Sequence, residues 1–219
     1  MSFAIFNGSP RNKKSNSAIL AQKFLKGFAA ASTETFELHH LASLRHKSEQ
    51  LEAFGKASVI LFIFPLYTDS MPAIVKAFFE KLYESGFPGP KKVGYIVQSG
   101  FKESIHSLAL AAYLEKFTRR LGYDYLGTVI KGGVEGIQIM PPRMTKKLFA
   151  DFYRLGLYFG KHTAFDPQLM AKMAKPYRLS KASQWMMKFA PSFMINFYWN
   201  MNLRKHKAFN QRFDQPFKP

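Results

Sequence analysis

Ser58 to Phe64 reads SVILFIF, and after the serine every residue is apolar, so a strand built from it would be apolar on both faces. Such a strand is stable only when buried from both sides, which places it in the middle of a mainly parallel sheet covered by helices. The rest of the chain must then supply flanking strands and two helical layers. Over roughly the first 160 residues it does, because short apolar runs alternate with longer amphipathic ones in the manner of an α/β domain.

The expected units follow in order. Ser2 to Phe6 is a strand that stops at Asn7-Gly8, and Ser15 or Asn16 caps a helix carrying Ile19, Leu20, Phe24, Leu25 and Phe28 at helical spacing. Thr33 to Leu38 alternates as a half-buried strand, and a short helix covers Ser48 to Phe54. After the central strand, Ser70 followed by Pro72 starts a helix that runs to Gly86. FPGPKK is a surface turn, Val93 to Gln98 a fourth strand, and Ser104 to Arg120 a helix ended near Gly122. Tyr123 to Ile130 is a fifth strand, and Thr145 caps a last helix, Lys146 to Lys161. Near Thr163 to Pro167 the alternation gives way to a basic stretch rich in Met and aromatics. The domain expected is therefore residues 1–163, with residues 164–219 an extension in which Ser192 caps a helix presenting Phe193, Met194, Phe197, Tyr198 and Met201 on one sector.

In an open parallel sheet, ligands bind beyond the carboxyl ends of the strands, so the loops there carry the function. The first, Asn7 to Ser17, runs straight into a helix amino end, where free N–H groups and the helix dipole suit an anion. Ser9, Arg11, Ser15, Asn16 and Ser17 add hydroxyl, amide and guanidinium donors. Asn-Gly and Ser-Pro are also ordinary turn formers and Asn16 an ordinary cap, so these residues alone leave both readings open. GxxxxGK[ST] and GxGxxG are both missing, which excludes a Walker loop and the dinucleotide fingerprint.

GSPR followed by SNS, between a first strand and a first helix, resembles the phosphate loop of the flavodoxin-like NAD(P)H-dependent FMN reductases and quinone reductases. PLYTDSMPAIVKAFFEKL is similar to that family's second flavin loop and the helix after it. The resemblance covers about residues 1 to 160 and implies a doubly wound five-stranded parallel sheet of order 2-1-3-4-5. It implies FMN as cofactor, with the phosphate held by Ser9, Arg11, Asn16 and Ser17. The ring loop it implies is Pro65, Leu66, Tyr67, Thr68, Asp69 and Met71; Ser99, Gly100 and Phe101 form a third contact, and Gly133 and Glu135 lie beside the cofactor. The activity implied is hydride transfer from NADPH or NADH through flavin to a small-molecule acceptor such as a quinone. A homodimer whose partner chain covers the flavin is implied too.

Tyr67 either flanks the flavin or is a rim residue, Asp69 either meets the ring or caps the next helix with Ser70, and Glu135 is either a polar contact or a solvated carboxylate. The six histidines show no metal-ligand spacing, and only His106, just after the third loop, stays a site candidate. No metal is expected. With no cysteine in its 219 residues, the chain cannot form disulfides, thiolate zinc sites or iron–sulfur clusters, which fits a cytoplasmic protein.

The net charge of +18 favours anionic partners, and residues 161–219 hold 11 Lys and Arg against Asp166 and Asp214. That excess demotes a purely electron-carrying role, since such carriers are typically acidic. A nucleic-acid binder would explain the charge but not two flavin-type loops. The extension instead fits peripheral contact with an acidic membrane surface, or packing on the core or on a second subunit. The start, MSFAIFNGSPR, lacks a basic stretch ahead of an apolar one, so no signal peptide is expected, and Phe189 to Leu203 is too short and too polar to span a bilayer.

Overall fold

The computed structural model describes residues 2–43, 47–86, 89–189 and 196–215. Five parallel strands, β1 (Phe3–Asn7), β2 (Phe36–His40), β3 (Val59–Pro65), β4 (Lys92–Gln98) and β5 (Asp124–Lys131), form one sheet in the order β2-β1-β3-β4-β5. This is the doubly wound order expected. All seven residues of β3 are buried, as its two apolar faces require.

The alternation of β3 divides the core into two layers. Val59, Leu61 and Ile63 face one side, with Phe3 and Ile5 of β1. There they meet α1 (Asn16–Ala29) and α5 (Pro142–His162). Ile60, Phe62 and Phe64 face the other, where α2 (Lys47–Lys56), α3 (Ala73–Glu84) and α4 (Ile105–Arg120) supply Phe54, Phe78, Phe79 and Leu114. Each such side chain contributes about 1.5–3 kcal/mol when fully buried.

Helices α1 and α5 cross closely, and glycine makes that possible. A Cβ on Gly156 would stand 1.9 Å from the Phe24 carbonyl oxygen, and one on Gly27 would stand 1.9 Å from that of Tyr153. This pair fixes α1, and with it the loop that leads into α1.

Several boundaries differ from the sequence expectation for local reasons. Helix α5 starts at Pro142, not after Thr145: proline suits the first turn, and the Thr145 hydroxyl donates to the Pro142 carbonyl inside the helix instead of capping it. Strand β2 runs on to His40 because Phe6 and Asn7 pair with His39 and His40 in the ladder. Of the two residues offered as cap of α1, Ser15 is the cap, its hydroxyl accepting from the Ala18 N–H at 3.1 Å.

Met1–Arg178 and Leu179–Pro219 are separate compact units. The first includes α6 (Pro167–Met173), capped by the Asp166 carboxylate and tied to α5 by Lys172, whose Nζ donates to Asp151 at 2.7 Å. Phe165, Leu169 and Met173 lie in the layer with α1 and α5. The second unit holds α7 (Lys181–Phe189) and α8 (Phe197–Lys205), and none of its described side chains is buried. The expected cap Ser192, with Phe193 and Met194, lies outside the described residues, as do Phe87 and Pro88 of the expected surface turn. Among the described residues, no helix is long and apolar enough to cross a membrane.

Candidate functional site

Four loops meet at the carboxyl edge of the sheet, and hydrogen bonds join them into one rim. The Leu66 N–H donates to the Gln98 carbonyl at 2.8 Å, and the Ser99 N–H donates to that of Lys131 at 3.1 Å. Val134 N–H returns to the Ser99 carbonyl at 2.9 Å, and Gly133 N–H to Phe101 at 2.7 Å. Two side chains then bind this series to the head of α1: Asn16 Nδ2 donates to the Val134 carbonyl at 3.0 Å, and Gln98 Nε2 to the Ser17 hydroxyl at 3.3 Å. Residues predicted from four separate stretches of sequence thus stand on one continuous edge.

The loop after β1 is shaped by Asn7, which is fully buried at the strand's end. Its Oδ1 accepts the Ser9 N–H at 3.0 Å, and its Nδ2 reaches the Asn12 carbonyl at 3.1 Å, the Ser15 hydroxyl at 3.2 Å and His40 Nδ1 at 2.9 Å. Gly8 is required beside it, because a Cβ there would lie 2.2 Å from Val75 Cγ2. Ser9, Asn16 and Ser17 are buried, whereas Arg11 is exposed and its guanidinium lies 4.0 Å from the Glu135 carboxylate. With both partners about half exposed, that ion pair adds little stability, but it brings two predicted site residues together across the rim.

At the head of α1 the N–H groups of Asn16 and Ser17 have no acceptor among the described residues, and Asn16 Oδ1 is buried without a donor. The head of α4 differs. There the Ser104 and Ile105 N–H groups donate to the carbonyls of Pro176 and Tyr177.

The loop after β3 is held by its backbone. Tyr67 and Ser70 exchange N–H to carbonyl hydrogen bonds of 2.9 and 3.0 Å, and the two residues between them, Thr68 and Asp69, have φ of 48° and 59°. This is a two-residue turn of the I′ kind, in which positive φ is needed twice. A β-branched threonine is an uncommon occupant, and such strain concentrates at binding edges. The turn also answers one open question: the start of α3, at Pro72, has no side-chain cap, so Asp69 does not serve as one. Pro65 is buried, Leu66 and Met71 are half-buried, and Tyr67 and Phe101 stand exposed at 44% and 59%. Gly100 is also exposed, and a Cβ on it would lie 3.5 Å from that of Glu135. Phe101 lies tilted against His106, the weak candidate, at 4.6 Å between ring centres, while His106 Nε2 lies 3.5 Å from the Glu103 carboxylate. Among the described residues no group of three His, Cys, Asp or Glu could hold a metal.

Sequence reasoning missed Asn7, Gln98 and His40. An asparagine ending a buried apolar strand was the one signal for Asn7; its partner His40 stands 33 residues away, and nothing local announces the contact. Burial lowers the His40 pKa, and the positive charge of Lys13 and then His39 lowers it further.

Residues 1–150 match a family described as having a flavodoxin-like fold. No curated protein matches the sequence. Among solved structures, the NAD(P)H:quinone oxidoreductase from Methanothermobacter marburgensis is similar, with TM-score 0.58 and 18% identity over 74% of this chain and 98% of its own. The FMN-dependent NADH-azoreductase from Bacillus anthracis, in complex with FMN, gives 0.54 and 16% over 75% of this chain and 100% of its own. The Trp repressor binding protein from Bacillus subtilis gives 0.53 and 20% over 70% of this chain and 96% of its own. At these identities the likeness is one of fold.

Proposed function

Because this chain belongs to the family of flavodoxin-like fold, we propose that its four-loop rim binds FMN and that the protein is an FMN-dependent NAD(P)H oxidoreductase. The observation that carries the reading is the head of α1, where two N–H groups without acceptors adjoin the Ser17 hydroxyl on the loop that bears Arg11. These donors fit a terminal phosphate. The buried Asn16 Oδ1, which lacks a donor, fits a hydroxyl of the ribityl chain.

The chemistry that FMN would supply there is hydride transfer from a nicotinamide and onward reduction of a quinone, free flavin or similar small acceptor. The chain's own tasks are to hold, orient and cover. Ser9, Arg11, Asn16 and Ser17 hold the phosphate end. Pro65, Leu66, Tyr67, Thr68, Asp69 and Met71 flank the ring, and in the exposed turn the N–H groups of Thr68 and Asp69 are free to meet its polar edge. Ser99, Gly100, Phe101, Gly133 and Glu135 form the opposite wall.

The exposure of Tyr67 and Phe101 supports a homodimer, in which a partner chain keeps water from this rim. Of the basic extension, residues 164–219, the part Leu179–Pro219 is a separate unit, and we assign it to packing in that dimer. Its second reading, contact with an acidic membrane surface, is supported by Trp185, Phe189, Phe197 and Trp199, all more than 60% exposed in a strongly basic segment. The partner sought is a small molecule and not a nucleic acid, and the site of action is the cytoplasm.

The test is spectroscopic. Purified protein should be yellow, release FMN on denaturation, and be bleached by NADPH or NADH without oxygen. A protein that binds no flavin when FMN is added would overturn the reading. Flavin that neither nucleotide can bleach would reduce the protein to a flavin-binding redox partner.

A further inference from the structure

On the β2 side of the first loop, on the side away from the loops after β3, β4 and β5, lies a cavity of about 450 Å³. Its walls are the loop after β1, the end of β2 and the first turn of α2. A volume of this order takes a nucleotide-sized ligand and far exceeds a free phosphate ion.

The charges are lopsided. Arg11, Lys13 and Lys14 contribute three cations from one loop, His39 and His40 stand at the strand end, and among the described residues Glu49 is the single carboxylate in the wall. Neither Lys13 nor Lys14 has an ion-pair partner among the described residues, so both ammonium groups remain available to an anion. Leu38 supplies an apolar wall. The floor is built rather than open: Gln50, itself buried, donates from Nε2 to the carbonyls of His40 at 2.8 Å and Ser43 at 3.3 Å. Asn12 enters the loop with φ of 53°, and its buried Oδ1 has no donor. A ligand for this cavity therefore offers phosphate oxygens to the cations and a hydroxyl or amine to Asn12, as a phosphorylated ribose does.

Arg11 is common to both sides of the loop. It lines the cavity while its guanidinium meets Glu135, a residue of the proposed flavin rim, at 4.0 Å. A ligand in the cavity thus lies one side chain away from that rim. We propose that the cavity binds the phosphorylated ribose end of a nucleotide and, resting on the oxidoreductase reading above, that it takes the 2′-phosphate of NADPH and selects it over NADH. The Lys13 charge that depresses the His40 pKa is the charge such a phosphate would neutralise.

The experiment is a calorimetric titration of the full-length protein, with and without added FMN, using adenosine 2′,5′-bisphosphate, 5′-AMP and inorganic phosphate as probes. It needs no flavin chemistry, so its outcome is separate from that of the oxidoreductase reading. The bisphosphate should bind more tightly than either other probe. In Lys13→Glu/Lys14→Glu that affinity should fall at least about tenfold, the loss expected for one charge-assisted hydrogen bond. FMN affinity should fall less than that of the bisphosphate, because both ammonium groups line the cavity while the proposed flavin phosphate is held by Ser9, Arg11, Asn16 and Ser17. If the protein turns over, KM for NADPH should rise in the variant while KM for NADH does not. Binding of 5′-AMP as tight as that of the bisphosphate would overturn the assignment to a 2′-phosphate. No binding of any probe, or binding that the double variant leaves unchanged, would overturn the site itself.

Discussion

The loops after β1 and β3 end at the same rim, yet they keep their shape by opposite means. The first is a side-chain construction, in which buried Asn7 gathers Ser9, Asn12, Ser15 and His40, and Asn16 and Gln98 tie the loop to its neighbours. The second is a backbone construction, a two-residue turn with both φ values positive and its side chains left to solvent. A cradle for a charged group demands donors held in place, because an anion is bound by directed hydrogen bonds. A flat aromatic ring needs only an edge and a surface, which a tight turn bearing a tyrosine provides. Substitution should therefore act strongly and through side chains in the first loop, weakly and through backbone shape in the second.

The largest effect should come from Asn7→Ala. Each buried group left unpaired costs about 1–3 kcal/mol. Unfolding by urea should show the domain weakened by roughly 3 kcal/mol, and FMN affinity should fall with it. If stability and affinity both stay near wild type, the first loop is not organised by this residue.

Next is Arg11→Ala/Ser17→Ala, which leaves the loop's internal bonds largely in place. FMN affinity should drop by about 1.5–3 kcal/mol, the worth of one charged hydrogen bond, since the N–H groups at the head of α1 remain, with the circular dichroism spectrum unchanged. Undiminished affinity would mean that the phosphate is held elsewhere.

Tyr67→Ala should be milder. Its ring is 44% exposed, so the fold should survive, while loss of an aromatic contact should weaken flavin binding by about 0.5–1.5 kcal/mol and shift the flavin absorbance bands. An unchanged spectrum together with unchanged affinity would return Tyr67 to the role of a rim residue.

The smallest change belongs to Thr68→Gly. A left-handed residue with a side chain costs about 1–2 kcal/mol, and glycine returns about 0.5–1 kcal/mol of that as lost chain entropy. Thermal unfolding should show a slight gain in stability. A clear loss would show that the Thr68 side chain, and not the backbone, holds the second loop.

The comparison also explains what could be read from the sequence. SVILFIF announced β3 because burial on both faces leaves no polar position, and the pair Ser15 and Asn16 announced the start of α1 because a polar side chain at a helix head serves a local need, though not which of the two would cap it. The sheet order came from the resemblance carried by GSPR and PLYTDSMP. Asn7 was opaque because its partners are set by which strands become neighbours, so the contact to His40 exists only once β2 lies beside β1. Thr145 misled because a threonine at a helix start and one a single turn inside look alike, and the Pro141-Pro142 pair before it reads as loop. The basic cavity was invisible for the same reason as Asn7: its cations come from one loop and its histidines from a strand more than twenty residues on.

The central claim is that the head of α1 is a phosphate cradle, and the most direct test compares two flavins that differ only in that phosphate. Flavin-free protein should be titrated with FMN and with riboflavin, following quenching of flavin fluorescence. Two charged hydrogen bonds of about 1.5–3 kcal/mol each predict that FMN binds at least about 100-fold more tightly. Equal affinity for the two flavins would contradict the account, because it would leave the free N–H groups of Asn16 and Ser17 with no part in holding the cofactor.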